Sequence, residues 1–338
     1  MADPGPGEQA RAQAARTSPV FLTLAGLLFL GIVTLPCALG YALHPAGTVF
    51  LGFVEDWPDT LNYFSFVEQA RHGHALAALS AGPSPGKTYL FSSLCYLMGL
   101  LCRLTGLEPP EAHLLTRLVF AALLVPALWW FLRDALEDGP AARFALLSIL
   151  FGSGFGFLVP PGSEVLHPTD LWHVGTIAIY ACASLAHLAA SWWTLVLAYL
   201  CLGRAFERDS LRWAVAGGAA LAANGSLHPY HFVSACAVAA LAAGVEGPSR
   251  RSFALAAGFL GTGGLAFGVQ LYLVVSQPLM REVAAQSMNL SPPPWDYLLG
   301  FGLAGVLGLA ALVDWRYFRD VIEAGELPEG PAAAHDEH

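Results

Sequence analysis

Residues 20–43 form a nearly continuous apolar stretch, the first of eight: 20–43, 114–132, 144–160, 180–203, 213–226, 229–246, 252–276 and 297–314. A helix needs roughly 20 predominantly apolar residues to cross the hydrocarbon core of a bilayer. In lipid, only helices and closed barrels leave no backbone group without a hydrogen bond. The period-two alternation of a membrane barrel is absent. The sequence therefore predicts an all-α integral membrane protein with about eight transmembrane helices in a single polytopic domain, 19–315. A first outer loop, 44–112, a tail at 1–18 and an acidic tail at 316–338 complete this division. Composition agrees, with 56% hydrophobic and 12% charged residues and a mean hydropathy of +0.56 over 338 residues, far from the average soluble domain.

The first stretch exceeds the usual length of a cleaved signal core and reads as an anchor. Orientation follows from the arginines, because short cytoplasmic loops collect Lys and Arg. With the N-terminus inside, Arg11, Arg16, Arg133, Arg143, Arg204, Arg208, Arg212, Arg250, Arg251, Arg316 and Arg319 are cytoplasmic, 11 of the 16 basic residues. This assignment requires the marginal run 89–105 to lie at the outer interface as an extra helix without crossing. The proline- and alanine-rich ends have the composition of disordered tails. All six cysteines lie within apolar runs, with no disulfide framework or zinc spacing. The net charge of −9 argues against a nucleic-acid partner.

The topology places most unusual polar residues outside. The stretch VEDWPDTLNYFSFVEQARHGH, 54–74, crowds four carboxylates and two histidines after an apolar run. Asp56 and Asp59 suit a helix start with Pro58 inside the first turn. Leu61, Tyr63, Phe64, Phe66 and Val67 suit a helix on the membrane surface. The capping reading and a catalytic reading of the two carboxylates stand side by side here. Also outside are 161–177, with Glu164, His167, Asp170 and His173, the turn NGSLHPYH at 224–231, and 277–296 with Arg281. His167, His173, His228 and His231 permit a divalent metal, although their spacing matches no standard signature. GSG at 152–154 and GTGG at 261–264 read as close helix packing.

The acidic opening of the outer loop and the Asp-x-x-x-Tyr of Asp59 and Tyr63 resemble the GT-C class of polytopic glycosyltransferases, which includes protein O-mannosyltransferases and lipid A aminoarabinose transferases. EAHLLTRLVFAALLVPALWWFLR, 111–133, is similar to a family element with an arginine, here Arg117, near the start of an apolar helix. DLW at 170–172, His187 and HPY at 228–230 resemble bacterial members of the class. The resemblance covers about 20–315 and implies a GT-C-like fold, in a chain with fewer spans than the class, as if shortened at the C-terminus or working with a second membrane subunit. It implies sugar transfer from a polyprenyl-phosphate carrier, at a bacterial-type cytoplasmic membrane, to an acceptor on the outer side. Asp56 or Asp59 would serve the attacking hydroxyl, with Glu55, Asp170, His228 and Tyr230 around the substrate. Arg117, Arg281 and Lys87, the one lysine, would meet phosphate. Trp57, Tyr63, Trp172 and Tyr230 have the rings to stack on a sugar. The competing expectation is a transporter or a non-catalytic lipid- or sugar-binding scaffold.

Overall fold

A computed structural model describes residues 19–54, 57–79, 88–136, 138–160, 175, 177–247, 249–286 and 293–302, with 305, 306 and 310. These residues form helices α1 (Pro19–Leu43), α2 (Trp57–Arg71), α3 (Ser93–Thr105), α4 (Pro109–Leu136), α5 (Pro140–Phe151), α6 (Ala178–Ser184), α7 (Ala186–Glu207), α8 (Leu211–Gly225), α9 (His231–Val245), α10 (Arg250–Ser276) and α11 (Pro278–Gln286). A two-rung antiparallel hairpin, β1 (Ala77–Ala78) with β2 (Tyr89–Leu90), lies between α2 and α3. The chain groups into two compact units, Met1–Gly152 with Val174–Leu290, and Ser153–His173 with Ser291–His338. In the second, Phe155 N–H donates to Leu299 O at 2.6 Å. Gly302, at φ +51°, brings the helix at 294–302 against Gly154.

Among the described residues, four helices are long and apolar enough to cross a membrane: α1, α4, α7 and α10. The expected eight crossings are thus corrected to four helices of crossing length, because several apolar runs break or stop short. The run 144–160 stops as helix at Gly152, where the backbone turns extended. The run 180–203 breaks at Leu185, with φ −125° and ψ 138°. Trp192 Nε1 donates to Gly175 O at 3.0 Å, whereas one continuous helix would hold those residues about 25 Å apart. The chain therefore reverses between α6 and α7. Helices α8 and α9 have 15 residues each, about 22 Å, and α3 has 13, about 20 Å, against a hydrocarbon core of about 30 Å.

Small residues let the bundle close. A Cβ at Gly218 on α8 would meet Phe259 O at 2.5 Å and Thr262 Cβ at 2.6 Å on α10, and one at Gly263 would meet Leu221 at 2.5 Å. The contact therefore uses Gly218 and Gly263 of the glycine-rich region, while Gly261 and Gly268 face open space. Helix α1 runs antiparallel to α4, with Gly26 near Val125 and Cys37 beside Arg117. Helix α2 buries Thr60, Phe66, Val67 and Ala70. It packs tightly on α3, where a Cβ at Gly99 would collide with Ala70 Cβ. Part of the charge in the 54–74 stretch is used here: Arg71 pairs with Glu108 at 3.1 Å and His72 with Glu68 at 3.0 Å.

Charged side chains gather at one end of the first unit. Arg204 meets Asp134 at 2.7 Å and Arg251 meets Asp209 at 2.5 Å. Arg204 and Arg208 lie over the Trp213 ring. His187 in the first turn of α7 is separated from this arginine-rich end by about 25 Å of helix. All six cysteines are free thiols, four of them buried.

Candidate functional site

Helix α2 offers one face at i, i+3, i+4 and i+7: Asp59, Asn62, Tyr63 and Phe66, spacings that fall on one side of an α-helix. These four residues line a cavity of about 240 Å³, closed on its other sides by Leu79, Leu90, Phe91 and Ser92 of the hairpin and the α3 start, His187 of α7, Ser226, Leu227 and Pro229 of the turn after α8, and Gln270 of α10. Asp59 sits in the first turn of α2, where a carboxylate is favoured by the positive helix end. Its side is exposed, whereas Thr60 next to it is wholly buried.

The hairpin is fastened over the cavity by two glutamines seven residues apart, Gln270 on α10 and Gln277 at its C-cap. Gln270 Nε2 donates to Phe91 O at 2.8 Å. Gln277 accepts from Tyr89 N–H at 2.6 Å and donates to Tyr89 O at 2.8 Å. Its amide thereby completes the ladder that the outer edge of β2 lacks. On the other side, Ser226 Oγ and Ser93 Oγ share a hydrogen bond of 2.5 Å.

Behind the cavity stands a column of rings. Tyr63 and His187 have centroids 4.4 Å apart, His187 and His228 5.1 Å, and His228 and His231 5.2 Å. Tyr63 Oη and His187 Nε2 are 3.4 Å apart. The column ends in a buried polar knot in which Asn224 Nδ2 donates to Ser191 O at 2.8 Å, Ser191 Oγ at 2.9 Å and Thr194 Oγ1 at 3.1 Å. Asn224 Oδ1 meets His231 Nδ1 at 3.0 Å. Past Thr194, the buried residues of α7 are apolar: Val196, Ala198, Leu200 and Leu202.

The break at Leu185 is what brings His187 to the cavity, and α4 holds that break from both sides. Arg117 Nη1 donates to Ala183 O at 2.6 Å and Ser184 O at 3.0 Å, the carbonyls left open where α6 ends. One turn earlier, His113 Nε2 accepts from Ala186 N–H at 3.1 Å, one of the amides left open where α7 begins. A helix end buried without such partners would leave orphan polar groups. Arg117 Nη2 also meets Cys37 Sγ at 2.9 Å, and that thiol donates to Gly52 O at 3.2 Å. Arg117 is fully buried, so its charge is taken up by carbonyl dipoles at a helix C-terminus, the end that favours a cation.

Of the site residues expected from sequence, Asp59 and Tyr63 line the cavity, and His228 stands in the ring column behind it. Arg117 belongs to the clasp on α6 and α7. Tyr230 is 77% exposed and, like exposed Arg281 on α11, is absent from the cavity lining. Glu55, Asp56, Lys87 and Asp170 lie outside the described residues, as do His167 and His173. Among the described residues, no three His, Cys, Asp or Glu side chains cluster to hold a metal. His228 and His231 stack at 28° between planes, which presents ring faces to each other, whereas metal ligation needs in-plane nitrogens to converge. Sequence reading passed over Asn62 and Gln270. Their signals were the i+3 spacing from Asp59 and an amide alone in the apolar run 264–275.

The chain is an all-α integral membrane protein whose first unit carries a cavity with polar and apolar walls at the end opposite Arg204, Arg208 and Arg251. No protein-family model matches the sequence, and neither does any curated protein.

Proposed function

We propose that this protein is a GT-C-like membrane glycosyltransferase, taking a sugar from a polyprenyl-phosphate carrier and passing it to an acceptor on the extracytoplasmic side. One observation carries the reading. Three distant pieces of the family resemblance, Asp59 with Tyr63, His187, and Pro229 of the HPY at 228–230, meet around one cavity. Asp59 is then the base for the attacking hydroxyl, a role worth about 10²–10⁴ in rate. Tyr63 and Phe66 give the sugar ring an apolar wall. The collection of Arg204, Arg208, Arg212, Arg250 and Arg251 at the far end supports an N-in orientation with the cavity outside. The stop of the polar column at Thr194 favours chemistry at one face over a transport path.

The test is transfer of radiolabelled sugar from polyprenyl-phosphate donors by membranes holding the wild type or Asp59→Asn. The expected result is wild-type transfer with a loss of at least 100-fold in Asp59→Asn at equal expression. Undiminished transfer by Asp59→Asn removes that carboxylate from the chemistry. No transfer from any donor by the wild type leaves a binding scaffold as the better account.

A further inference from the structure

The β1–β2 hairpin roofs the cavity, and its side chains alternate between two faces as the pleat requires. Ala77, Leu79, Thr88 and Leu90 share the inner face: Ala77 and Thr88 are buried, and Leu79 and Leu90 line the cavity. Tyr89 on the outer face is 42% exposed. Leu79 N–H donates to Thr88 O at 2.9 Å, so Ala78 and Tyr89 form the next, non-hydrogen-bonded pair of the ladder. In such a pair the backbone groups of each residue point away from the partner strand. A glutamine meets each outward set. Gln69 of α2 accepts from Ala78 N–H at 2.7 Å and donates to Ala78 O at 3.0 Å. Gln277, at the C-cap of α10, does the same for Tyr89 at 2.6 and 2.8 Å. The rung of Ala78 and Tyr89 is thus gripped between two side-chain amides, one from α2 and one from the end of α10.

We infer that the hairpin is a lid over the cavity, hinged at its base and latched by Gln277. Two strands of two residues each are marginal in water by themselves, so the side fastenings set how firmly the ribbon closes. The two fastenings differ. Gln69 projects from a helix whose Val67 and Ala70 are buried, and its bonds to Ala78 are partly buried. The bonds of Gln277 to Tyr89 are exposed, and Gln277 stands in extended backbone, φ −107° and ψ 122°, where α10 has ended. Solvent-exposed hydrogen bonds belong to the parts of a fold that open first. The base is held separately: Gln270 bonds Phe91 O, and Ser92 caps α3 by accepting from Cys95 N–H at 3.3 Å. On the other strand, Gly73 at φ +94° turns the chain out of α2. The lid itself does not depend on glycosyl transfer. In a transferase its closure would also keep water from the reacting bond, and that consequence alone rests on the transferase reading.

The experiment labels a thiol inside the cavity of the full-length protein in detergent. Asn62→Cys puts that thiol on the cavity face of α2, and the probe is fluorescein maleimide, a reagent larger than a cavity of about 240 Å³. Peptide mass spectrometry assigns each labelled cysteine. With Gln277 intact the labelling should be slow. Adding Gln277→Leu should speed it at least about fivefold, the effect of losing two neutral hydrogen bonds at the low end of their net worth. Exchange of Tyr89 N–H, which loses its acceptor, reports that the latch is broken. Cys37 and Cys182, 1% and 0% exposed, report global unfolding and should label no faster. If they do, Gln277→Glu, which keeps an acceptor for Tyr89 N–H and loses the donor to Tyr89 O, carries the same test. The inference is overturned if Asn62→Cys reacts like a free thiol while Gln277 is intact. It is overturned equally if breaking the latch leaves the labelling unchanged; faster exchange at Tyr89 alone would make Gln277 a strand brace only. Labelling needs no sugar and no lipid-linked donor, so the lid and the transferase reading fail separately.

Discussion

His113→Leu isolates half of the clasp that sets the α6–α7 break. Leucine fills nearly the same volume, so little cavity term arises, but the acceptor for Ala186 N–H disappears in a region where His113 is 1% exposed. A buried donor left without a partner costs about 1–3 kcal/mol. Loss of the edge contact between Phe64 and His113, centroids 5.5 Å apart, adds about 0.5–1 kcal/mol. The sum, about 1.5–4 kcal/mol, corresponds to a rise in local opening of about tenfold or more. Hydrogen exchange followed by mass spectrometry on peptides covering 184–190 should show that rise. The melting temperature in detergent should fall by at least about 2 °C. Arg117→Met removes the other half, the donors to Ala183 O and Ser184 O. If the two side chains act as one clasp, the double variant should cost at least 0.5 kcal/mol less than the sum of the singles, the scale of coupling seen between neighbours. Unchanged exchange at 184–190 in His113→Leu would refute the clasp, and strict additivity would refute its being a unit.

Two further outcomes follow from the packing. Gly218→Ala pushes a methyl into Phe259 O and Thr262 on α10, an overpacking cost of about 1–3 kcal/mol that thermal melting should register, whereas Gly261→Ala, facing open space, should leave the melt unchanged or slightly raised. Burial pushes the Cys95 thiol up from 9.0 to about 11, against a smaller lowering by Ser92. Its alkylation at pH 8 should therefore run about 100-fold slower than that of an unperturbed thiol of that ordinary value. Between pH 9 and 11 the folded state keeps a proton that the unfolded chain has released, so stability should fall as pH rises through that window. Alkylation of Cys95 at the ordinary rate would contradict its burial.

The sequence by itself determined the class of protein. Long apolar runs have no stable place in water, and in lipid their backbone must be helical, so α1, α4, α7 and α10 were legible from composition and length. The face of α2 that carries Asp59 and Tyr63 was legible too, because spacings of three and four residues share a side of any helix whatever surrounds it. The number of crossings was not legible. Leu185 is an ordinary apolar residue inside an apolar run, and nothing in its identity announces an extended backbone. The break exists because His113 and Arg117, some seventy residues earlier in the chain, satisfy the amide and carbonyls that it exposes. The role of Arg117 depended on the same fact: an arginine in an apolar helix announces an unusual environment, but only the fold shows that two backbone carbonyls provide it. The cavity likewise gathers α2, a two-rung hairpin, the first turn of α7 and one glutamine late in α10. Such non-local convergence is set by tertiary packing, where glycines bring α8 against α10 and α2 against α3, and not by any local pattern of residues.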